Sequence, residues 1–157
     1  MNKLTRKDAD RLDTLRDAFT TTWEALDSAV SAHTDADGDE GIAIDTVDAM
    51  GAVQPAPESK ATLRAAVDVA FAAYVTAHND LREFCSDLRG AMGDYFEGKS
   101  EGWQEGARGE RYHAWMDKFE AVAESATPEL DVTEDGCVDM PEDIASEVDE
   151  LSSEQDD

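Results

Sequence analysis

Apolar residues fall at Leu12, Leu15, Phe19, Trp23, Leu26 and Val30, and His33 completes the series. Steps of three and four place these positions on one stripe of a helix, predicted over about residues 5–33. Thr5 followed by Asp8 approximates a capping box, with Asp standing where Glu or Gln is usual. The helix is expected to end within HTDADGDEG, where Asp and Gly accumulate.

A second series runs Leu63, Val67, Ala70, Tyr74, Ala77, Leu81, Phe84, Leu88 in alternating steps of four and three. That is a heptad seam, and it predicts a long helix over about 59–96, with Ser59 as its cap after Pro55 and Pro57. Gly90 and Gly93 each cost about 1 kcal/mol against Ala inside a helix, so a kink or a termination is expected there. Tyr112, Trp115, Phe119 and Val122 predict a third helix over about 108–125, stopped before Pro128. Gly98, Gly102, Gly106 and Gly109 make the intervening stretch an elbow, with Ser100 a candidate cap for a short turn.

Each stripe must be buried against another, which predicts an all-α fold. The expected form is an antiparallel three-helix bundle, or helical hairpin, with a coiled-coil-like seam, occupying residues 1–127 as one domain. The remainder, 128–157, differs. ELDVTEDGCVDM allows a small Asp-Gly hairpin, and Ile144, Val148 and Leu151 allow one short amphipathic helix. Few apolar residues and much like charge make it an acidic, weakly ordered tail in expectation.

Charge changes the picture more than any other property. The net charge is -25, and 20 of the excess negative charges lie in two segments. Residues 34–58 hold seven acids and no base, and residues 126–157 hold thirteen acids and no base. The helical segments are close to balanced. No cluster of Lys and Arg exists to neutralise phosphates, so direct nucleic-acid binding is excluded. A basic partner, or electrostatic solubility alone, fits instead. No apolar run reaches the ~18 residues of a membrane span, and the N-terminal residues lack the apolar stretch of a secretory signal. Cys85 and Cys137 are far apart and lack ligand spacing, so a cytoplasmic, disulfide-free protein is expected.

Candidate chemistry is sparse. Asp35, Asp37 and Asp39 alternate as the first ligands of an EF-hand do. The loop's sixth position is Glu40 rather than Gly and its twelfth is Thr46 rather than Glu, so a solvated acidic turn is expected, not calcium. His33, His78 and His113 are isolated and expected on helix surfaces. No phosphate cradle, nucleophile with a companion base or marked carboxylate pair occurs. Neither catalysis, a cofactor nor a metal is expected. Among the rings, Tyr112, Trp115 and Phe119 sit at helical spacing and are expected to pack. Trp103 lies among glycines outside that stripe, and either caps the end of the bundle or anchors a partner.

The segment KSEGWQEGARGERYHAW, with Lys99, Ser100, Trp103, Gln104, Gly109, Tyr112 and Trp115, resembles one found in small uncharacterised acidic helical proteins of phages and plasmids. It covers under a fifth of the chain, and Gly102 and Gly106 stand where such proteins more often carry Lys and Ser. The resemblance implies no chemistry, but a mobile-element origin raises the expectation of interference with host nucleic-acid machinery. The expected function is that of a non-enzymatic inhibitor, acting like a DNA mimic on the basic nucleic-acid-binding surface of a host protein, as anti-restriction and anti-CRISPR proteins do. Asp35, Asp37, Asp39, Glu40 and Trp103 are the candidate partner-binding residues. Two alternatives stand beside it. One is an adaptor that forms a homo-oligomer through its helical seam, and the other is a halophile cytosolic protein whose acidity is salt adaptation.

Overall fold

The computed structural model describes residues 3–38, 60–134 and 137–154, apart from the side chains of Asp37 and Gly38. It is mostly helical, with long helices packed against one another, so the all-α expectation holds. Helix α1 spans Arg6–Gly38 and α2 spans Lys60–Glu97. The one-turn α3 (Glu101–Gln104) leads into α4 (Ala107–Ala123). A two-residue hairpin, β1 (Asp131–Val132) and β2 (Val138–Asp139), precedes α5 (Ala145–Asp149).

The capping box starts α1 as read. The Asp8 amide donates to Thr5 Oγ1 at 3.2 Å, and the Thr5 hydroxyl donates to Asp8 Oδ2 at 2.6 Å. At the other end the helix runs past His33 to Gly38, still within the HTDADGDEG stretch where its end is expected; His33 is buried on it, and the Thr34 hydroxyl donates to the Val30 carbonyl at 3.0 Å. Asp35 and Asp37 therefore lie on a helical turn and not in an acidic loop. Asp39 and Glu40 fall outside the described residues.

Helix α2, about 57 Å long at 1.5 Å per residue, is the central element. Its seam residues Val67, Tyr74, Ala77, Leu81, Phe84 and Leu88 are all buried. Helix α1 lies antiparallel along it: the Phe19 and Tyr74 rings are 5.4 Å apart, and the Arg11 guanidinium sits 4.9 Å from the Phe84 ring. Helix α4 packs antiparallel on the C-terminal half, where Tyr112 stacks on Phe96 and Arg89 reaches Glu120 at 3.3 Å. The expected break at Gly90 and Gly93 does not occur. Burial of Leu88 and Met92 on either side of Gly90 outweighs the roughly 1 kcal/mol each glycine costs.

The elbow is held by two residues. Gln104 Nε2 donates to the Phe96 and Lys99 carbonyls at 2.9 and 3.1 Å, tying α3 to the end of α2 and the turn that follows it. Gly109, in the first turn of α4, is buried against α3. A Cβ there would overlap the Gln104 carbonyl oxygen and stand 2.5 Å from that of Trp103.

The expectation of a weakly ordered tail is also corrected. Val138, Val148 and Leu151 are buried in the same core as the helices. Strand β2 packs on α1 and α5 packs on α4. The Trp115 indole N–H donates to the Ser152 carbonyl at 3.0 Å, and the Leu4 amide donates to the Ser153 carbonyl at 2.8 Å. The physical reason is that α1 and α4 both lie on α2 and leave an apolar furrow between them, which a few well-placed side chains suffice to cover.

Candidate interaction surfaces

Helix α1 segregates its charges by face. Asp10, Asp13, Asp17, Glu24, Asp27 and Asp35 are all exposed. At 100° per residue they fall within about a 100° arc, on the side away from Leu12, Phe19, Leu26 and Val30. Of the basic residues of the same helix, Arg6 lies in line with the ridge at its N-terminal end, whereas Arg11 covers Phe84 and Arg16 reaches Asp149 in α5 at 3.7 Å. A segment whose charges nearly cancel in the sum thus presents a ridge of carboxylates. The sequence carried this signal in the three- and four-residue spacing of the acids, and the charge total hid it.

The predicted site residues are not brought together. Asp35 sits exposed in the last turns of α1, in line with the ridge. Asp37 is helical in backbone, and Asp39 and Glu40 are not described. Trp103 is on α3, at the other end of α2's length. It is half-buried, edge-on to Tyr95, Phe96 and Tyr112 at centroid distances of 6.3, 5.9 and 5.9 Å. Tyr112, Trp115 and Phe119 are buried, as their spacing required. Burial pushes the Tyr112 hydroxyl up to about 12, with Tyr95 adding to the effect.

A cavity of about 520 Å³ opens between the end of α4 and the hairpin that follows it. Pro128, Met140, Pro141 and Ile144 form apolar walls, and Glu129, Asp131 and Glu142 supply carboxylates. His78 of α2 contributes to the lining but is 1% exposed, contrary to the surface position expected for it. His33 is buried in the same way, whereas His113 is exposed and pairs with Asp117 at 3.0 Å.

The state of His78 follows from its neighbours. Ser125 Oγ lies 3.2 Å from His78 Nε2 and donates to the Val122 carbonyl at 2.8 Å, and Nδ1 is buried. Burial lowers the imidazole below its ordinary 6.5, and the Arg82 guanidinium lowers it further, with the Asn79 side chain opposing. His78 is neutral at pH 7. Arg82 itself faces the Ala123 carbonyl and Thr127 Oγ1, at 3.4 and 3.3 Å.

Among the described residues, no three His, Cys, Asp or Glu side chains converge to hold a metal ion, and no helix is long and apolar enough to cross a membrane. Comparison with known proteins found no matching family, no matching curated sequence and no matching solved structure.

Proposed function

We propose that the protein is a non-enzymatic, acidic binding protein of the cytoplasm, built on an antiparallel three-helix bundle, that occupies the basic nucleic-acid-binding surface of another protein. A mobile-element inhibitor of host defence is the form this reading takes. The observation that carries it is the carboxylate ridge of α1, together with the exposed acids of residues 129–154.

Magnitudes limit the mimicry. From Asp10 to Asp35 the helix rises about 38 Å, over which six carboxylates are presented. Duplex DNA carries about 22 charges over that length, at one per 1.7 Å. The ridge is therefore about a quarter as dense as a duplex and competes for a basic groove without reproducing DNA. Asp10, Asp13 and Asp17, and likewise Glu24 and Asp27, are three or four residues apart, about 5–6 Å between Cβ atoms. That is inside the roughly 8 Å screening length of physiological salt, so each group acts on a partner together, while the gaps from Asp17 to Glu24 and from Asp27 to Asp35 are about 10–12 Å.

The test combines capture with competition. Immobilised protein is expected to retain nucleic-acid-binding proteins from a host lysate and to release them to short duplex DNA. Association with a retained partner should slow at least about tenfold as salt rises from about 0.05 to 0.5 M. Replacing Asp13, Asp17 and Asp27 by Asn and Glu24 by Gln should weaken retention. Equal retention by that variant, or indifference to duplex DNA, would refute the reading.

One observation favours the adaptor alternative in altered form. The heptad seam is consumed inside the molecule, but Val69 on the outer face of α2 is 72% exposed beside Ala65, Ala72 and Thr76. Sedimentation of the parent and of Val69→Asp decides whether copies associate there.

A further inference from the structure

We propose that residues 138–154 form a clasp over α1 and α4 whose closure is set by ionic strength. It is docked at physiological salt and above, and it is released at low salt while α1, α2 and α4 stay folded. The sequence loads this joint with like charge. The clasp lies within residues 126–157, which hold thirteen acids and no base. Docking gathers those charges into a hairpin and a short helix, and presses them against α1. Arg16, which meets the clasp there, stands three residues from Asp13 of the carboxylate ridge.

Arg16–Asp149 at 3.7 Å and Lys3–Glu154 at 3.9 Å cross the joint, but Asp149 and both members of the second pair are at least 70% exposed. Such pairs contribute little. The attraction comes instead from buried Val138, Val148 and Leu151, from the Trp115 indole N–H on the Ser152 carbonyl and from the Leu4 amide on the Ser153 carbonyl. These contacts are short-ranged, and salt does not screen apolar burial.

Repulsion and attraction therefore respond differently to salt. The screening length is about 30 Å at 0.01 M, about 8 Å at 0.15 M and about 3 Å at 1 M. At the first value each carboxylate of the clasp acts on nearly all the others. At the last it acts only on its immediate neighbours. Dilution thus raises the repulsion and leaves the apolar anchor unstrengthened. The helices give way less readily, because a seam from Val67 to Met92 is buried between them and their segments are close to charge balance. This inference does not rest on the proposed partner.

The test is hydrogen exchange of the full chain, read by NMR at constant pH between about 0.01 and 1 M potassium chloride. Protection of the Trp115 indole N–H and of the Leu4 amide should fall at least about tenfold from the high-salt to the low-salt end. The Leu81 amide, deep in α2, and the helical circular dichroism should hold. Choline chloride should act as potassium chloride does at equal ionic strength, and sucrose of equal osmolality should not. Asp139→Asn with Glu142→Gln and Glu150→Gln, all exposed on the clasp, should lower the salt concentration at which it closes. Three matched changes on the outer face of α2, Asp80→Asn, Glu83→Gln and Asp87→Asn, should move that concentration less. Leu151→Ala, which weakens the apolar anchor, should raise it. Trp115 protection indifferent to salt, or lost only together with that of Leu81, would overturn the proposal. So would closure by potassium chloride but not by choline chloride, or equal shifts from the two sets of three changes.

Discussion

Leu151 is the sharpest probe of whether residues 138–154 are part of the core. It is 2% exposed and belongs to the same buried cluster as Leu12 and Trp115. Removing three carbons from a buried leucine costs transfer free energy and leaves a cavity, about 2–5 kcal/mol together. For a chain of this length each kcal/mol lowers Tm by about 2–4 °C. Leu151→Ala should therefore melt roughly 5–15 °C below the parent, and its urea midpoint should fall with an unchanged slope. A point substitution is preferable to truncation. Deleting the segment would also delete seven carboxylates and relieve their mutual repulsion, an opposite effect. Glu150→Ala, next door and exposed, is the control and should shift stability by no more than about 0.5 kcal/mol. A loss at Leu151 no larger than that of the control would show that the contacts to α1 and α4 contribute nothing, and the packed tail would be refuted.

Two other outcomes follow from local geometry. Gly109→Ala drives a Cβ into the Gln104 and Trp103 carbonyls, which are backbone and cannot swing aside; helical circular dichroism at the elbow and stability should both fall, by about 1–3 kcal/mol, whereas Gly102→Ala, with nothing nearby, should be harmless. For His78 the sign is set by its lowered folded value: the unfolded chain takes up a proton near pH 6.5 and the native chain does not. Stability present above that pH should decline as pH drops below it, towards the folded value. His78→Phe should flatten this part of the denaturation profile, and an unchanged slope would contradict the buried neutral imidazole.

Much of the helical framework was legible because it is local. The stripe from Leu12 to Val30, the seam from Leu63 to Leu88 and the Thr5–Asp8 cap are written at periods the backbone itself imposes. Ring packing at Tyr112, Trp115 and Phe119 followed from spacing in the same way. The tail was legible in its elements, the hairpin within ELDVTEDGCVDM and the short helix that carries Val148, but not in its docking, since Val138, Val148 and Leu151 are thinly spread and their burial depends on a furrow made by residues far away in the chain. His78 was misread for the same reason: its partner Ser125 is 47 positions distant. The α1 ridge was legible in principle. A net charge for the helical segment hides it, because bases such as Arg11 and Arg16 offset acids in the sum while pointing to other faces. Of the candidate partner-binding residues, Asp35 joins that ridge, Trp103 packs into the elbow, and Asp39 and Glu40 stay outside the described residues.

The hydrogen bond from Leu4 to Ser153 has a consequence for how the protein is made. It closes a loop of about 150 residues, whereas the Phe19–Tyr74 contact closes one of 55. Closing the longer loop from an open chain costs roughly 0.9 kcal/mol more, so the helical hairpin forms early and the clasp at its N-terminus forms late. During synthesis, Trp115 lacks its Ser152 partner until residues 138–154 have left the ribosome. A nascent chain is thus adhesive until then. The dense negative charge of that stretch, arriving just as the furrow is filled, keeps such chains apart at the moment they need it.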